Sequence, residues 1–404
     1  MTNGVCAICG CFEGKRLLKM DCDCFDGSPL YREIRIIACE SCGHVYNELT
    51  AKEQQGLADY YATEYLLTNV SAPAGSGDRP GSRSRFSVQR YGRLLTLVKK
   101  YVACSSSILD VGCAMGGFLE YMNGKGFSRL YGIDPVKEFI GYAPQGKGFD
   151  VRVGCAESIP YEDSQFDMVI MDQVLEHVID PRSALCEARR VLKVGGYLCI
   201  SVPDASRYEE SDSFDYYWFL LKEHIHHFDL EHLRYLGKSM GLELIEYHRS
   251  LTPMMSEIML LPNLTVIFRS TDGGAFTHGK DSNLFVLEEM IRKYISRETK
   301  KTERTKRMIE DILRSYDEIH VWGVGREFLY LYTHTCLKEA VKRLIDLNRY
   351  KRNNLTIGGK KIESPDVLEE VGDRCALIIT AVFHKTSIKE SLENMGYKGE
   401  IVEL

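Results

Sequence analysis

Short apolar runs alternate with amphipathic stretches through the middle of the chain, from Ile108 to about Ser270. The runs have the length of buried strands, and the stretches between them place apolar residues at helical spacing. Such alternation predicts a parallel β-sheet with helices on both faces. The predicted strands read SILDVG, LYGID, FDMVIMD, YLCISVP, LELIEYH and LTVIFRS.

The same pattern returns near the end of the chain, from Tyr316 onward, with predicted strands EIHVWGVG, VKRLIDLN, ALIITAVF and EIVEL. Between the two patterns, residues 271–283 have loop composition, and Leu284 to Ser315 read as one linker helix or a helix pair. A Gly-, Ser- and Pro-rich stretch from Ser71 to Ser87 follows a Cys- and Tyr-rich N-terminal part. The chain has 404 residues, which is long enough for several domains, and we expect an α/β protein. The predicted parts are an N-terminal domain at 1–70, a central domain at 71–270, a linker at 271–315 and a C-terminal Rossmann-like domain at 316–404.

Composition and charge exclude several classes of protein. Hydrophobic residues make up 44% and charged residues 27% of the chain, which is ordinary for globular proteins and excludes wholesale disorder. Lys and Arg number 51 against 57 Asp and Glu, so the net charge of −6 creates no overall positive field for nucleic acid or anionic lipid. The longest apolar run, Ala376 to Phe383, is too short to cross a bilayer, and the N-terminus lacks the features of a secretory signal. We expect a cytoplasmic protein with a small-molecule partner, and its oligomeric state stays open.

Half of the fourteen cysteines lie within the first 42 residues. Four of them form two Cys-x2-Cys pairs, each followed by a glycine: Cys6, Cys9, Cys39 and Cys42. In a reducing compartment this spacing favours metal binding over disulfides, and four thiolates predict a structural zinc site without an open position for catalysis. The alternatives are fewer ligands, another metal, inert thiols, or a ligand drawn from Cys11, Cys22, Cys24 and His44.

The first predicted strand of the central region runs into a glycine-rich turn and then a helix. The turn contains Asp110, Gly112, Cys113, Gly116 and Gly117. Small residues in such a turn let the backbone approach a ligand closely. The second strand ends at Asp134, 24 residues after Asp110, where a carboxylate can accept hydrogen bonds from ribose hydroxyls. These residues alone predict a nucleotide or dinucleotide site.

Five motifs resemble, in order and spacing, those of the class I S-adenosylmethionine-dependent methyltransferases. They are LDVGC, GID, AESIPYEDSQFD, VLEHVIDP and ARRVLKVGGYLCISVP, and they cover about 100 residues. The resemblance implies that Asp110, Gly112 and Gly116 hold the amino acid end of S-adenosylmethionine, with Cys113 in the same turn. It also implies that Asp134 holds the ribose of the cofactor. Ala156 and Glu157 would line the adenine, and Asp172 and Gln173 would close the far wall of the cofactor site. Another kind of αβ nucleotide binder is the alternative.

Along nearly its full length the chain resembles the C-methyltransferases of nucleotide-linked deoxysugars. These join a four-cysteine zinc domain, a class I methyltransferase core and a C-terminal Rossmann-like domain. In the C-terminal part, Gly323 and Gly325 end one strand and Asp346 ends the next, so a dinucleotide site is the alternative there. Phe328 stands where the third glycine of the dinucleotide fingerprint would fall. We expect this domain to pack against the substrate side and not to bind a redox cofactor.

The segment from Lys222 to Phe228 corresponds to the Glu-His segment of these sugar enzymes. The resemblance implies that His224 is the base and that Glu223 orients it or acts with it. Carbon methylation needs a base because a carbon beside a sugar ketone becomes a nucleophile only as its enolate. His177, in LEHV, is the second catalytic candidate and would stabilise the enolate oxygen.

Each catalytic assignment has an alternative. His177 belongs to a motif that many class I methyltransferases share for architectural reasons, and His224, His226 and His227 can instead form a metal site. Glu176 stands where the sugar enzymes usually carry a small residue, and O-methylation of a sugar hydroxyl is the close rival of C-methylation. A non-catalytic cofactor-binding protein and a nicotinamide-dependent oxidoreductase are rivals of other classes.

Overall fold

The computed structural model describes residues 5–65, 81–146, 148–211, 216–220, 222–254, 256–271, 286–381 and 384–404. Most of the predicted connection from Ser71 and of the predicted loop at 271–283 lies outside the described residues. The strands are β1 (Gly14–Asp21), β2 (Glu33–Cys39), β3 (Val45–Asn47), β4 (Ser107–Val111), β5 (Arg129–Asp134), β6 (Phe149–Val153), β7 (Phe166–Asp172), β8 (Leu192–Pro203), β9 (His226–His227), β10 (Leu242–Met254), β11 (Ser256–Ser270), β12 (Glu318–Trp322), β13 (Val341–Ile345), β14 (Thr356–Ile357), β15 (Lys360–Glu363), β16 (Cys375–Ile379) and β17 (Glu400–Glu403). The α-helices are α1 (Ala51–Thr63), α2 (Arg85–Val98), α3 (Gly117–Asn123), α4 (Lys137–Ile140), α5 (Pro181–Val191), α6 (Leu230–Ser239), α7 (Val286–Ser315), α8 (Arg326–His334), α9 (Leu337–Ala340), α10 (Arg349–Asn354) and α11 (Lys385–Met395).

A seven-stranded sheet occupies the centre of the molecule, in the order β6-β5-β4-β7-β8-β11-β10. Strands β6, β5, β4, β7 and β8 are parallel, and β11 runs antiparallel to both of its neighbours. The middle strands β4 and β7 are buried almost throughout, because their apolar residues are continuous rather than alternating. The six strands predicted from the apolar runs are confirmed. The pattern missed β6, which lies at the sheet edge and is only partly buried.

A four-stranded sheet in the N-terminal part has the order β1-β2-β3-β9. Its last strand comes from the central part of the chain, because His226 pairs with Tyr46 and His227 with Val45. The N-terminal sheet is therefore completed by residues about 180 positions away in sequence. Two regions that the sequence analysis treats as separate domains share this sheet.

A six-stranded sheet in the C-terminal part has the order β14-β15-β13-β12-β16-β17, and all its strands except β14 are parallel. The predicted linker forms one helix, α7, over its described residues rather than a helix pair. Although the middle of α7 is highly charged, apolar residues recur at helical spacing on one side of the helix and form an apolar face. That face buries Leu287, Ile291, Tyr294, Ile309 and Ile312.

The N-terminal and C-terminal parts share an apolar core that also contains residues of α7. At its edge, the carboxylate of Asp26 accepts hydrogen bonds from three groups of the β14–β15 turn. The donors are the N–H of Gly358 at 3.0 Å, the N–H of Gly359 at 2.9 Å and the hydroxyl of Thr356 at 2.7 Å. Both glycines have positive φ, which lets two successive N–H groups point at one anion.

We predict that Asp26→Asn lowers thermal stability near neutral pH and not in acid. The N–H of Gly359 and the hydroxyl of Thr356 lower the pKa of the Asp26 carboxyl in the folded protein. The carboxylate therefore adds stability above its unfolded pKa of about 4 and loses that contribution as the pH falls through the folded pKa. The side chain is exposed, so the expected decrease in Tm is about 2 °C or less.

Thermal denaturation of both proteins, from neutral pH down to about pH 3, measures this difference. Asp59→Asn is the matched control, because the Asp59 carboxylate contacts Gln55 of its own helix. A Tm difference for Asp26→Asn that stays the same in acid would contradict the prediction.

Candidate functional site

Two glycines shape the turn between β4 and α3. Gly112 and Gly116 both have φ of +74°, a conformation that favours glycine. A Cβ atom at Gly112 would lie 2.5 Å from Cγ2 of Val174, and one at Gly116 would lie 2.4 Å from Cδ of Pro144. The sequence therefore places bare backbone at the carboxyl ends of the central strands, where a ligand can approach closely.

Three carboxylates lie around this turn, because Asp110, Asp134 and Asp172 stand at or near the carboxyl ends of β4, β5 and β7. Burial, reinforced by Asp172, raises the pKa of Asp110 well above its usual value, and burial raises the pKa of Asp134 to about 6. Asp134 accepts hydrogen bonds from two backbone N–H groups, at 2.9 and 3.0 Å. The Arg90 guanidinium is 3.4 Å from Asp172. This concentration of buried carboxyl groups favours a cationic ligand.

The other predicted cofactor residues lie near the same strand ends. Cys113 and Ala156 are buried, and Glu157 is half-buried. Gln173 has φ of +59°, and its side-chain amide donates to Oδ1 of Asn263 at 2.8 Å. The structure thus gathers the predicted residues at one edge of the sheet, with the Gln173 amide held by β11.

We predict that Gly116→Ala weakens the binding of S-adenosylmethionine roughly tenfold or more, equivalent to about 1.4 kcal/mol. The added methyl group would collide with Pro144 and force the turn to move. Titration calorimetry measures the affinity, and thermal denaturation checks the fold. Gly126→Ala is the control, since Gly126 also has positive φ but its nearest neighbour in space, Cys104 Sγ, is 3.8 Å from the added Cβ. Equal affinities for Gly116→Ala and the wild type would reject the role of this turn.

The two predicted catalytic histidines lie next to each other, with ring centroids 5.0 Å apart. His177 donates its Nδ1–H to the carbonyl of Glu223 at 2.7 Å, and His224 donates its Nδ1–H to the carbonyl of Phe219 at 3.1 Å. A carbonyl only accepts, so these contacts determine the tautomer of each neutral ring. Both Nε2 atoms then carry a lone pair. Burial lowers the pKa of both rings, and that of His224 falls to about 3.

The carboxylate of Glu223 turns toward the C-terminal part of the protein. Its Oε1 lies 3.3 Å from Nη2 of Arg326, at the start of α8, and the same guanidinium lies 5.0 Å above the ring of Trp218. Burial opposes ionisation of Glu223, but Arg326, a backbone N–H group and the two neighbouring histidines together outweigh burial, so the pKa of this carboxyl is lowered. The expectation that Glu223 sets the tautomer of His224 is therefore corrected, because the carbonyl of Phe219 does so.

Glu176 is a buried carboxyl group beside the two histidines. Both of its oxygens lack a hydrogen-bond partner, and Oε1 is 3.9 Å from Nε2 of His177. Burial, reinforced by Asp172, raises the pKa of Glu176 to about 8. Donor atoms of Glu176, His177 and His224 all lie within 4.8 Å of one another, so this set could hold a divalent metal ion.

His226 and His227 lie apart from this set, which corrects the alternative of a metal site formed by His224, His226 and His227. His226 donates Nε2–H to the carbonyl of Ile179 at 3.3 Å and accepts at Nδ1 from His44. His227 lies 3.3 Å from the hydroxyl of Tyr208. Both rings are buried parts of β9 and have a structural role.

Sequence reasoning missed three residues of this site. The hydroxyl of Tyr61, on α1, lies 3.3 Å from Nδ1 of His177. Arg326 lay inside the glycine-rich C-terminal motif, and Glu176 was noted only as a departure from the sugar enzymes. No local pattern marks Tyr61 or Arg326 as neighbours of His177 and Glu223. A carboxyl group inside a predicted buried turn was the one available signal for Glu176.

The four predicted zinc ligands converge in the N-terminal part. Cys6 and Cys42 have Sγ atoms 3.7 Å apart, and those of Cys9 and Cys39 are 3.5 Å apart. A tetrahedral zinc ion with bonds of about 2.3 Å requires sulfur separations of about 3.8 Å. Each pair is followed by a glycine at φ +76°, whose N–H closes a turn on the first cysteine of the pair. The quartet therefore fits a structural zinc ion.

The alternative ligands have other contacts. Among the described residues, Cys11, Cys22, Cys24 and His44 do not belong to the quartet. His44 contacts His226 at 3.1 Å, and Cys24 contacts Lys222. The quartet is also attached to helix α6, because His232 donates to the carbonyl of Cys42 at 3.0 Å.

We predict that Cys39→Ser releases the metal and yields largely insoluble protein, because a small domain depends on its metal for folding. Metal content by mass spectrometry and solubility measure the effect. Cys11→Ser, which removes a nearby thiol outside the quartet, is the control and should keep about one metal ion per chain. A soluble Cys39→Ser protein with full metal content would exclude the site.

The C-terminal glycine segment has a different environment from the central one. The Asp346 carboxylate accepts from the N–H of Val324 at 3.0 Å, the N–H of Asn348 at 2.8 Å and the ammonium of Lys351 at 3.1 Å. Lys351 also donates to the carbonyl of Val324 at 2.7 Å. A ribose hydroxyl would compete with this ammonium group, which argues against a dinucleotide there. That this part binds no redox cofactor stays a prediction.

The central part of the chain is similar to known methyltransferases. Residues 81–247 match the family described as a methyltransferase domain. An uncharacterized methyltransferase of Schizosaccharomyces pombe is 34% identical over 125 residues, which are 27% of this chain and 44% of that protein. The human mitochondrial ubiquinone biosynthesis O-methyltransferase is 42% identical over 103 residues, which are 23% of this chain and 28% of that protein. The chain thus spans less than half the length of these curated relatives.

Among solved structures, a SAM-dependent methyltransferase of Methanosarcina mazei aligns with a TM-score of 0.37 and 21% identity, covering 43% of this chain and 97% of that one. Across the described parts of the chain, the structure contains no helix long and apolar enough to cross a membrane. The matched segment contains the glycine turn, the three strand-end carboxylates and the two histidines predicted to be catalytic. Residues 81–247 are therefore similar to methyltransferase domains, and they include the residues predicted to bind S-adenosylmethionine.

Proposed function

We propose that the protein transfers a methyl group from S-adenosylmethionine to a nucleotide-linked sugar or a related polar metabolite. The observation that carries this proposal is the pair of imidazoles next to the cofactor turn. His177 and His224 both hold their Nδ1–H on main-chain carbonyls, so each presents an unprotonated Nε2. The sulfonium methyl group is already electrophilic, so the residues of this chain have to remove a proton from the acceptor.

His224 is the proposed base. Its low pKa keeps the ring neutral at physiological pH, so Nε2 is always free to accept a proton. A weakly basic imidazole needs help when it becomes charged, and the ionised Glu223 carboxylate, next in the chain, stabilises the imidazolium. Arg326 keeps that carboxylate ionised.

Glu176 is the proposed donor to the acceptor oxygen. The neutral ring of His177 has already committed its one N–H to the carbonyl of Glu223, so it has no donor left for an enolate oxygen. The Glu176 carboxyl, with a pKa of about 8, is mostly protonated at neutral pH and can donate. A buried neutral carboxylic acid is an effective donor to a developing oxyanion. We therefore propose that Glu176, and not His177, stabilises the enolate oxygen.

Carbon methylation through an enolate is the favoured reaction, because the site combines a base with a neutral acid. O-methylation of a sugar hydroxyl is the second candidate, and it is favoured by the human relative, whose name describes an O-methyltransferase. Both reactions use the same base. They differ in whether the acceptor loses a hydrogen from carbon or from oxygen.

The choice of a nucleotide-linked acceptor rests on the resemblance to the sugar enzymes and on the wall formed by Arg326 and Trp218. A guanidinium group binds phosphate oxygens, and an aromatic ring binds a planar base or the apolar face of a sugar. We further propose that the cysteine quartet holds zinc, that the protein works in the cytoplasm and that nucleic acid is not its partner. None of the fourteen cysteines, all of which lie in the described part of the chain, forms a disulfide, which fits a reducing compartment.

We predict that His224→Ala lowers turnover roughly 10²-fold or more and leaves the affinity for S-adenosylmethionine nearly unchanged, as expected for loss of a general base. With a nucleotide-linked keto sugar in deuterated water, the wild type should exchange hydrogen at the attacked carbon and the variant should not. Mass spectrometry measures both methylation and exchange.

His248→Ala is the control, because His248 is a partly exposed ring on β10 that contacts Glu246. Full turnover by His224→Ala would exclude it as the base. Methylation by the wild type without any hydrogen exchange at carbon would favour the hydroxyl acceptor.

A further inference from the structure

The side chain of Lys222 is enclosed by the loop that follows β1. Its ammonium nitrogen lies 3.1 Å from the carbonyl oxygen of Cys22, 3.1 Å from that of Asp23 and 2.7 Å from the Sγ atom of Cys24. Lys222 is only 5% exposed and Cys24 only 3%. A lysine nitrogen and a cysteine sulfur thus lie in contact inside the protein.

The separation between Lys222 Nζ and Cys24 Sγ is short for a nitrogen and a sulfur that are not joined. The N–H of Glu13 contacts Sγ of Cys11 at 3.4 Å, and the Sγ atom of Cys24 itself is 3.6 Å from its carbonyl neighbours. Sulfur is larger than oxygen, so an ordinary N–H···S contact is longer than the 2.7 Å found here. A nitrogen and a sulfur joined through one oxygen atom fit this separation.

The position of the pair links it to the catalytic segment. Lys222 directly precedes Glu223 and His224, and its carbonyl accepts a hydrogen bond from the hydroxyl of Tyr31 at 2.6 Å. Cys24 belongs to the N-terminal part, about 200 residues earlier in the chain. A covalent bond between them would attach the catalytic segment to the N-terminal part.

We propose that Cys24 and Lys222 form an oxidative crosslink in which one oxygen atom joins Sγ to Nζ, with hydrogen peroxide as the oxidant. The first peroxide converts the thiol to a sulfenic acid and water. A second peroxide oxidises the neutral amine to a hydroxylamine and water, after the ammonium has released a proton. The hydroxylamine oxygen then bonds to sulfur, and the sulfenic hydroxyl leaves as a third water. In sum, one thiol, one amine and two peroxides give one S–O–N bridge and three waters, and sulfur and nitrogen each lose two electrons.

The crosslink changes how the segment is held. An ammonium group offers three hydrogens, which match the carbonyls of Cys22 and Asp23 and the sulfur of Cys24. The bridged nitrogen is uncharged and keeps a single hydrogen, so one of the two carbonyls loses its partner. The segment carrying Glu223 and His224 would then lose one hydrogen bond to the N-terminal part and gain a covalent bond to it. Four equivalents of a thiol reductant return the bridge to thiol, amine and water, so the change is reversible.

Peptide mass spectrometry of the full-length, metal-loaded protein tests the proposal. After treatment with peroxide and digestion without reductant, we expect the peptides containing Cys24 and Lys222 to be joined, with a mass equal to their sum plus one oxygen and minus two hydrogens. Dithiothreitol should separate them. The experiment requires no acceptor, so its outcome does not depend on the proposed function.

Three variants sharpen the result. Cys24→Ser and Lys222→Arg should abolish the joined peptide, and Cys22→Ser should retain it. A Cys22–Cys24 disulfide, which loses two hydrogens without gaining oxygen, would overturn the proposal. Oxygen gained at Cys24 without a joined peptide would also overturn it. The wild-type measurement decides between these outcomes even if a variant fails to fold.

Discussion

The acceptor side of the candidate site is the region around His177 and His224, where the methyl acceptor is proposed to bind. Its structure depends on hydrogen-bond partners for the buried backbone of residues 222–228. The N–H of Asn47 donates to the carbonyl of Ile225 at 2.7 Å, and the N–H of Ile225 donates to the carbonyl of Glu176 at 2.8 Å. The backbone of His226 and His227 forms strand β9, which finds its partners by pairing with β3. Because these partners come from the N-terminal part and from the turn after β7, the catalytic segment takes its position only when both are folded. Because Cys39 lies in the sheet that receives β9, a metal ion held by the cysteine quartet would help to position the predicted catalytic segment from a distance.

This arrangement explains why the acceptor side is assembled from three parts of the chain. The methyltransferase domain contributes His177 and His224, α1 contributes Tyr61, and α8 contributes Arg326. Each contact involves a group that would be costly to bury alone, since an unpaired carboxylate or an unpaired main-chain carbonyl loses its hydration. The ion pair between Arg326 and Glu223 thus connects the C-terminal part to the candidate site.

Sequence patterns predicted the features that depend on neighbours in the chain. Apolar runs predicted the central strands, glycines at fixed spacing predicted the turn at Gly112 and Gly116, and two Cys-x2-Cys pairs predicted the thiol quartet. Contacts between distant segments left no such pattern, because neither the apolar periodicity nor a motif encodes which partner a side chain meets. The ion pair between Arg326 and Glu223 and the pairing of His226 with the N-terminal sheet are two such contacts between distant segments. Glu176, which replaces the small residue usual in the sugar enzymes, can be read from the sequence. That its carboxyl oxygens lack a hydrogen-bond partner can be seen only in the folded structure, where the turn is buried.

The distribution of charge distinguishes the two halves of the cleft. Asp110, Asp134 and Asp172 face one another with Arg90 as the nearby cation, whereas Arg326 neutralises Glu223 on the acceptor side. This distribution would attract a cationic cofactor to the strand ends and the proposed anionic acceptor to the side of Arg326, because each would be stabilised by the opposite charge at low dielectric. Methyl transfer removes the positive charge of the sulfonium. If the carboxyl groups at the strand ends hold the cofactor, they would bind the neutral thioether less strongly than the sulfonium, so the groups that attract the methyl donor would also favour release of the product.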